Sequence, residues 1–254
     1  MRINLNADLG EGYGPWTMGD DAAMLDIVAS ANIACGGHAG DPDVMRRTLR
    51  LACERGVSIG AHPSYPDLQG FGRRAMALST TELENQIAAQ VGALGAIAAL
   101  EAARVTHVKP HGALNNLACI DRKVADTICR AVRAIDPALI LLAPAASQLV
   151  AAGRGAGLAV VEEIFADRAY LPDGQLVPRS RPEAMIHGAA ACLAHVLAML
   201  DAGALIAVDG TRIATPIGSI CVHGDSPGAV AVARHLREQL AARGHQLLPL
   251  PEIA

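Results

Sequence analysis

Short apolar runs alternate with helix-patterned stretches along the whole chain, and nearly every polar motif starts where one of those runs stops. The runs fall near 2–7, 28–35, 57–61, 105–109, 139–143, 159–165, 205–208 and 220–222. They are too short for stable helices and rich in Val, Ile and Leu, so they read as strands. Helix-start signals lie between them. Asp41-Pro42 pairs an N-cap with proline at the first helical position, and the helix it opens extends to Arg55. Ser79 with Glu82 fits a capping box ahead of an Ala-rich helix to about Ala103, and Asp121 caps a helix to Ile135. Further helical stretches are expected from Asp20, over 147–152, over 182–202, and from Ser226-Pro227 to Arg243. Strand–loop–helix alternation without a linker-like break implies a parallel sheet covered by helices. Seven or eight strands in 254 residues favour an α/β chain closed into a single (β/α) barrel domain over 1–254, rather than an open doubly wound sheet. No GxGxxG follows a strand and no GxxxxGK[ST] occurs, so neither dinucleotide nor phosphate-loop binding has a sequence basis.

The barrel reading gives the polar motifs their meaning, because strand C-termini share one face and catalytic groups gather there. Asp8 and Glu11 close the first strand, His38 follows the second, His62 the third, Lys109 and His111 the fourth, and His223 and Asp225 the last. Asp8, nearest its strand end, is the stronger acid–base candidate of the two carboxylates. The chain has two lysines against nineteen arginines, and Lys109 lies between His107 and His111. A compact ammonium at that place serves chemistry that a guanidinium cannot, whereas Lys123 reads as an ordinary helix-surface residue. Convergent histidines suggest at least one with a catalytic role. An aspartate with two or three histidines also suits a divalent metal, although no HExxH or HxH pair occurs, and that alternative stays open. All six aromatics (Tyr13, Trp16, Tyr65, Phe71, Phe165 and Tyr170) lie in or beside these post-strand segments.

Bulk properties exclude several classes. A mean hydropathy of +0.29 comes with no apolar run near the roughly 20 residues a membrane span needs. Met1-Arg2-Ile3-Asn4 enters a strand without a signal-like stretch, so cytoplasm is the expected location. Net charge is −4 and no basic cluster exceeds a pair, which argues against nucleic acid. The six cysteines show no CxxC spacing; Cys53, Cys129 and Cys192 read as small buried helix residues, and Cys35 and Cys221 as buried thiols.

The stretches INLNADLGEGYGPW, ANIACGGHAGDP, GVSIGAHPSYPDLQGFGRR, HVKPHGALNN, EIFADRAY and SICVHGD, spanning residues 3 to 225, resemble the LamB/YcsF family. Two positions depart from the pattern: Gly37 where Phe is usual and Asn115 where Tyr is usual. The resemblance implies a modified barrel similar to the glycoside hydrolase/deacetylase type. It also implies a 5-oxoprolinase subunit that opens 5-oxo-L-proline to L-glutamate with hydrolysis of ATP to ADP and phosphate, alongside 5-oxoprolinase subunits B and C. On that reading Asp8, Lys109, His62 and His111 are the catalytic candidates. Asn6, Glu11, His38, Tyr65, Arg73, His223 and Asp225 are the candidate substrate contacts. The alternative is a metal-dependent amide or N-acetyl hydrolase using Asp8, His62 and His111.

Overall fold

The computed structural model describes residues 1–224 and 228–254. Strands β1 (Arg2–Leu9), β2 (Ser30–Ala34), β3 (Ser58–His62), β4 (His107–Val108), β5 (Ile140–Pro144) and β6 (Val160–Phe165) follow one another in parallel. A short antiparallel hairpin, β7 (Ala204–Ile206) with β8 (Arg212–Ala214), stands apart from them. β9 (Ser219–Val222) then pairs with both β6 and β1, closing a seven-stranded parallel barrel, and β10 (Gln246–Leu247) adds to the start of β1. The run near 205–208 is therefore a strand of the side hairpin, and the eighth barrel strand it offered does not exist among the described residues.

Period-two alternation on β1 sets the layering. Ile3, Leu5, Ala7 and Leu9 are buried in the apolar cluster shared with the helices. Asn4, Asn6 and Asp8 alternate with them and point to the barrel interior. That interior is polar, and its side chains hydrogen-bond to one another. Asn4 donates to Ser30 Oγ at 2.7 Å, Asn6 to Ser219 Oγ at 2.8 Å, and Asn32 to both Asn6 Oδ1 and Asp8 Oδ1 at 2.8 Å. His107 Nε2 donates to Asn32 Oδ1 at 3.0 Å. His107 fits because its register partner on β3 is Gly60, where any Cβ would overlap the imidazole. Since buried polar groups must be paired, this ladder fixes side-chain orientation up to the strand ends.

The helices form as their signals require. α1 (Asp21–Leu25) is capped by Asp20. α2 (Pro42–Glu54) is capped by Asp41, which accepts from the amides of Asp43 and Val44. α3 (Thr80–Leu100) has the full Ser79–Glu82 capping box. α4 (Gly112–Ile120) has no start signal in the sequence; α5 (Arg122–Ile135) and α6 (Gln148–Gly155) are capped by Asp121 and Ser147. The helix expected over 182–202 is shorter. A 3₁₀ turn at Pro182–Ala184 is followed by a break at Gly188, which has φ of 87°, and α7 covers Ala189–Ala202. α8 is Ala229–Ala242, and the Ser226-Pro227 cap expected for it lies outside the described residues. Cys53, expected to be buried, is exposed on α2, while the other five cysteines are buried and all six are free thiols. No helix among the described residues is long and apolar enough to cross a membrane.

Candidate functional site

The strand ends open into a cavity of about 650 Å³ whose wall includes Asp8, His62, Lys109, His111 and His223. At its base Lys109 Nζ donates to Asp8 Oδ1 at 2.9 Å and lies 3.3 Å from Glu163 Oε2 and 3.1 Å from Cys221 Sγ. β1, β4, β6 and β9 each contribute one of these groups or the residue next to it, so the constellation exists only because the barrel closes. The electrostatics separate the two carboxylates. Burial would raise Asp8, but His62 and Lys109 outweigh it and hold Asp8 well below the usual carboxylate range. Burial of Glu163 prevails over Lys109, and its pKa is raised. Burial would lower Lys109, but Asp8, Cys221 and Glu163 keep it firmly protonated. Two carboxylates whose pKa values are pushed apart and one fixed ammonium therefore share the base of the cavity.

Three imidazoles and a carboxylate form the adjoining wall. His62 Nδ1 donates to the Lys109 carbonyl at 2.7 Å, and His111 Nε2 donates to the Phe71 carbonyl at 2.9 Å. Phe71 presents that carbonyl from a left-handed backbone conformation at φ 53°, an unfavourable state for a non-glycine residue. His62 Nε2 and His111 Nδ1 are 3.0 Å apart, and His38 Nε2 donates to Glu11 Oε1 at 3.0 Å. The His38 and His111 rings stack with centroids 3.6 Å apart and planes 3° from parallel. Burial pushes both His38 and His111 well below the ordinary imidazole value, so they are neutral.

The opposite wall is cationic. His223 Nδ1 contacts Asp167 Oδ1 at 2.8 Å, and its ring packs on Phe165. Burial opposes protonation of His223, but Asp167 overcomes it and raises the pKa; Asp167 is correspondingly lowered. Arg168 is 6% exposed, donates to the Val177 carbonyl at 2.7 Å, and has no partner for Nε among the described residues. Burial, with Arg179 and Arg73 nearby, brings Arg168 down to about 10. Arg179 also lines the cavity, as does Arg73, whose guanidinium lies over the Phe71 ring beside the imidazoles.

Asp8, Glu11, His62, Arg73, Lys109, His111 and His223 thus line the cavity. His38 sits behind Glu11 and His111, Asn6 lies one layer down in the barrel, and Tyr65 is buried without lining the cavity. Asp225 lies outside the described residues. Of the aromatics, Phe165 and Tyr170 line the cavity, while Tyr13 and Trp16 bridge each other in an exposed turn with Trp16 72% exposed. Glu163, Asp167, Arg168 and Arg179 were missed. The first three sit within or beside EIFADRAY, where an acid or base directly after an apolar run was the available signal.

A solved lactam utilization protein from Thermus thermophilus superposes with a TM-score of 0.92 at 43% identity, covering 98% of this chain and all of that one. A solved T48 deacetylase, at 13% identity and a TM-score of 0.51, shares the fold. The 5-oxoprolinase A subunit of Azoarcus sp. (strain BH72) is 59% identical over 100% of this chain and 99% of its own length. That of Methylococcus capsulatus is 57% identical over 95% and 93%. The LamB/YcsF family model matches residues 3–254, and the chain belongs to the LamB/YcsF family.

Proposed function

We propose that this chain is the A subunit of an ATP-dependent 5-oxoprolinase, opening 5-oxo-L-proline to L-glutamate while ATP is converted to ADP and phosphate. The observation that carries the reading is the base of the cavity, where Asp8, Lys109 and Glu163 meet beside the imidazoles of His62 and His111. Its chemistry suits a stabilised amide, and the relatives at 57–59% identity are named for that activity.

A five-membered lactam resists water because its carbonyl is deactivated by the ring nitrogen. Transfer of the γ-phosphoryl group to the carbonyl oxygen releases ADP and leaves the ring carbon electrophilic. Water then adds to that carbon, giving its proton to Asp8. The ring nitrogen takes up a proton and leaves as the amine, and a second water hydrolyses the remaining acyl phosphate to carboxylate and phosphate. Lys109, kept charged at the base, stabilises the negative charge on the lactam and phosphoryl oxygens during the transfer. Glu11, Arg73 and His223 line the path to this base and are proposed substrate contacts, with His38 setting Glu11; Asn6 acts by orienting Asp8 through Asn32.

No phosphate loop exists in the sequence, so we propose that phosphoryl transfer needs partner subunits B and C, with ATP a co-substrate of the assembled enzyme. We further read residues 1–254 as one barrel domain working in the cytoplasm. The test is glutamate and ADP formation from 5-oxo-L-proline and ATP, with and without the partners. Coupled turnover only in the complete mixture is the expected result. Absence of glutamate in every combination would overturn the assignment, and full turnover by the isolated chain would overturn the need for partners.

A further inference from the structure

We infer that Glu11, His62 and His111 form a binding site for one divalent transition-metal ion of the zinc class, with His38 holding the Glu11 carboxylate in position. The argument begins with the tautomers. A backbone carbonyl only accepts, so His62 must carry its hydrogen on Nδ1 to reach Lys109 O, and His111 must carry its hydrogen on Nε2 to reach Phe71 O. In rings that carry one hydrogen each, the remaining nitrogens, His62 Nε2 and His111 Nδ1, are the bare ones, and they face each other at 3.0 Å.

Two lone pairs converging at that distance repel unless a cation lies at their meeting point. Two carboxylates lie close to that point. Glu11 Oε1 is 3.5 Å from His111 Nδ1, and Asp8 Oδ2 is 3.4 Å from His62 Nε2. The donor atoms offered by Glu11, His38, His62 and His111 all lie within 4.8 Å of one another. A tetrahedral ion with bonds of about 2.1 Å separates its ligands by about 3.4 Å, close to the 3.0 and 3.5 Å spacings that His111 makes.

The surroundings match what a metal requires of its ligands' supports. Imidazole ligands characteristically donate their second N–H to a carbonyl or carboxylate, which fixes ring orientation, and both rings do so here. Glu11 Oε1 is held by His38 Nε2. Two imidazoles with one carboxylate leave the fourth position of a tetrahedral ion for water or a substrate oxygen, the ligand set of catalytic rather than structural zinc. Mixed nitrogen and oxygen donors exclude the oxygen-only preference of magnesium and calcium. The sequence hid the site because its ligands come from three separate loops with no short spacing. It also differs from the Asp8-based set that sequence spacing suggested, since Asp8 is already engaged by Lys109.

The experiment uses the untagged full chain, purified without chelator, and needs no turnover, so it stands apart from the lactam reading. Plasma mass spectrometry is expected to find about one equivalent of a transition metal. Stripped protein titrated with cobalt(II) chloride is expected to develop the visible bands of low-coordinate cobalt and to be displaced by zinc. His111→Ala and Glu11→Gln, with folding checked by circular dichroism, are expected to weaken binding by at least roughly 10- to 100-fold, the range that even supporting-shell losses produce. His235→Ala, on α8, is the control and keeps full affinity. If the wild-type chain neither carries nor takes up stoichiometric zinc or cobalt, a proton rather than a metal joins the two imidazoles, and the assignment is overturned. Unchanged affinity in folded His111→Ala overturns it equally.

Discussion

Lys109 and Asp8 stand 101 residues apart in sequence, yet the ammonium of one donates to the carboxylate of the other at 2.9 Å, with both side chains at most 9% exposed. Glu163 lies on the far side of the same ammonium. The lysine therefore neutralises a base that would otherwise hold uncompensated negative charge.

Replacing it tests both roles. Lys109→Met is expected to lower turnover of the reconstituted complex by about 100- to 1000-fold, the cost of losing one oxyanion stabiliser. It also strands the Asp8 charge, so the variant should lose about 3–5 kcal/mol of stability, as one-sided removal of a buried ion pair does. Lys109→Arg restores charge but not shape, and is expected to be nearly as inactive. Lys123→Met, exposed at the start of α5, is the control and should be silent. Near-normal glutamate release by a folded Lys109→Met enzyme would end the catalytic reading.

The His223–Asp167 pair sets a pH signature. His223 is raised above its ordinary 6.5, so its contribution to stability is complete below about pH 6.5 and is lost as pH rises through the higher folded value. Asp167 is lowered from 3.8, so its contribution is present above about pH 4 and is lost as pH falls through the lower folded value. The pair is at full strength between these limits. Thermal melts of wild type and Asp167→Asn should differ most between about pH 4 and 6.5 and converge at alkaline pH. A constant difference up to pH 9 would show that the two side chains do not interact as an ion pair.

Much of this architecture is written in local patterns. The Asn4-Leu5-Asn6-Ala7-Asp8-Leu9 alternation carries the layering of β1 and delivers Asp8 to the strand end. The Asp41, Ser79 and Asp121 caps operate as their spacing implies. What stays hidden depends on pairing between distant segments. Glu162 and Glu163 look alike in sequence, but strand alternation sends Glu162 outward to Arg154 and Thr215 and Glu163 inward to Lys109. The run at β7 is as apolar as a barrel strand, and only its antiparallel partner β8 diverts it. α4 starts immediately after His111, with Gly112 at φ 57° and no side-chain cap, so nothing local marks its start.

Gly37 offers a packing test. The side chains of Gln90 and Ser64 fill the space beside Gly37, where a Cβ would overlap them. Gln90 accepts from the Ser64 amide at 2.9 Å and donates to the Ser64 carbonyl at 2.8 Å, clamping the loop that follows His62. Gly37→Ala is expected to cost about 1–3 kcal/mol through overpacking. Gly37→Phe should be worse alone but partly rescued by Gln90→Ala, with a coupling above about 0.5 kcal/mol in urea unfolding. Strict additivity of the two changes would mean that they do not compete for one space.

Arg168 should decide how the cavity holds its anion. Its side chain is buried, one nitrogen is spent on the Val177 carbonyl, and Nε has no partner among the described residues. Arg73 and Arg179 line the same cavity and act on Arg168, so its charge is held among other cations where an anion is favoured. The carboxylate of 5-oxo-L-proline is the anion that the proposed reaction supplies. A charge-assisted hydrogen bond of this kind contributes about 1.5–3 kcal/mol, equivalent to roughly 10- to 150-fold in binding. Arg168→Gln in the complete complex is therefore expected to raise the KM for 5-oxo-L-proline by about that factor, with a smaller change in kcat. Because the contact is uniform between ground and transition states, the split between the two constants separates anchoring from a general loss of structure. A rise confined to the KM for ATP would move the anion from the substrate carboxylate to a phosphate. Unchanged KM values for both would show that Arg168 serves the Val177 turn alone.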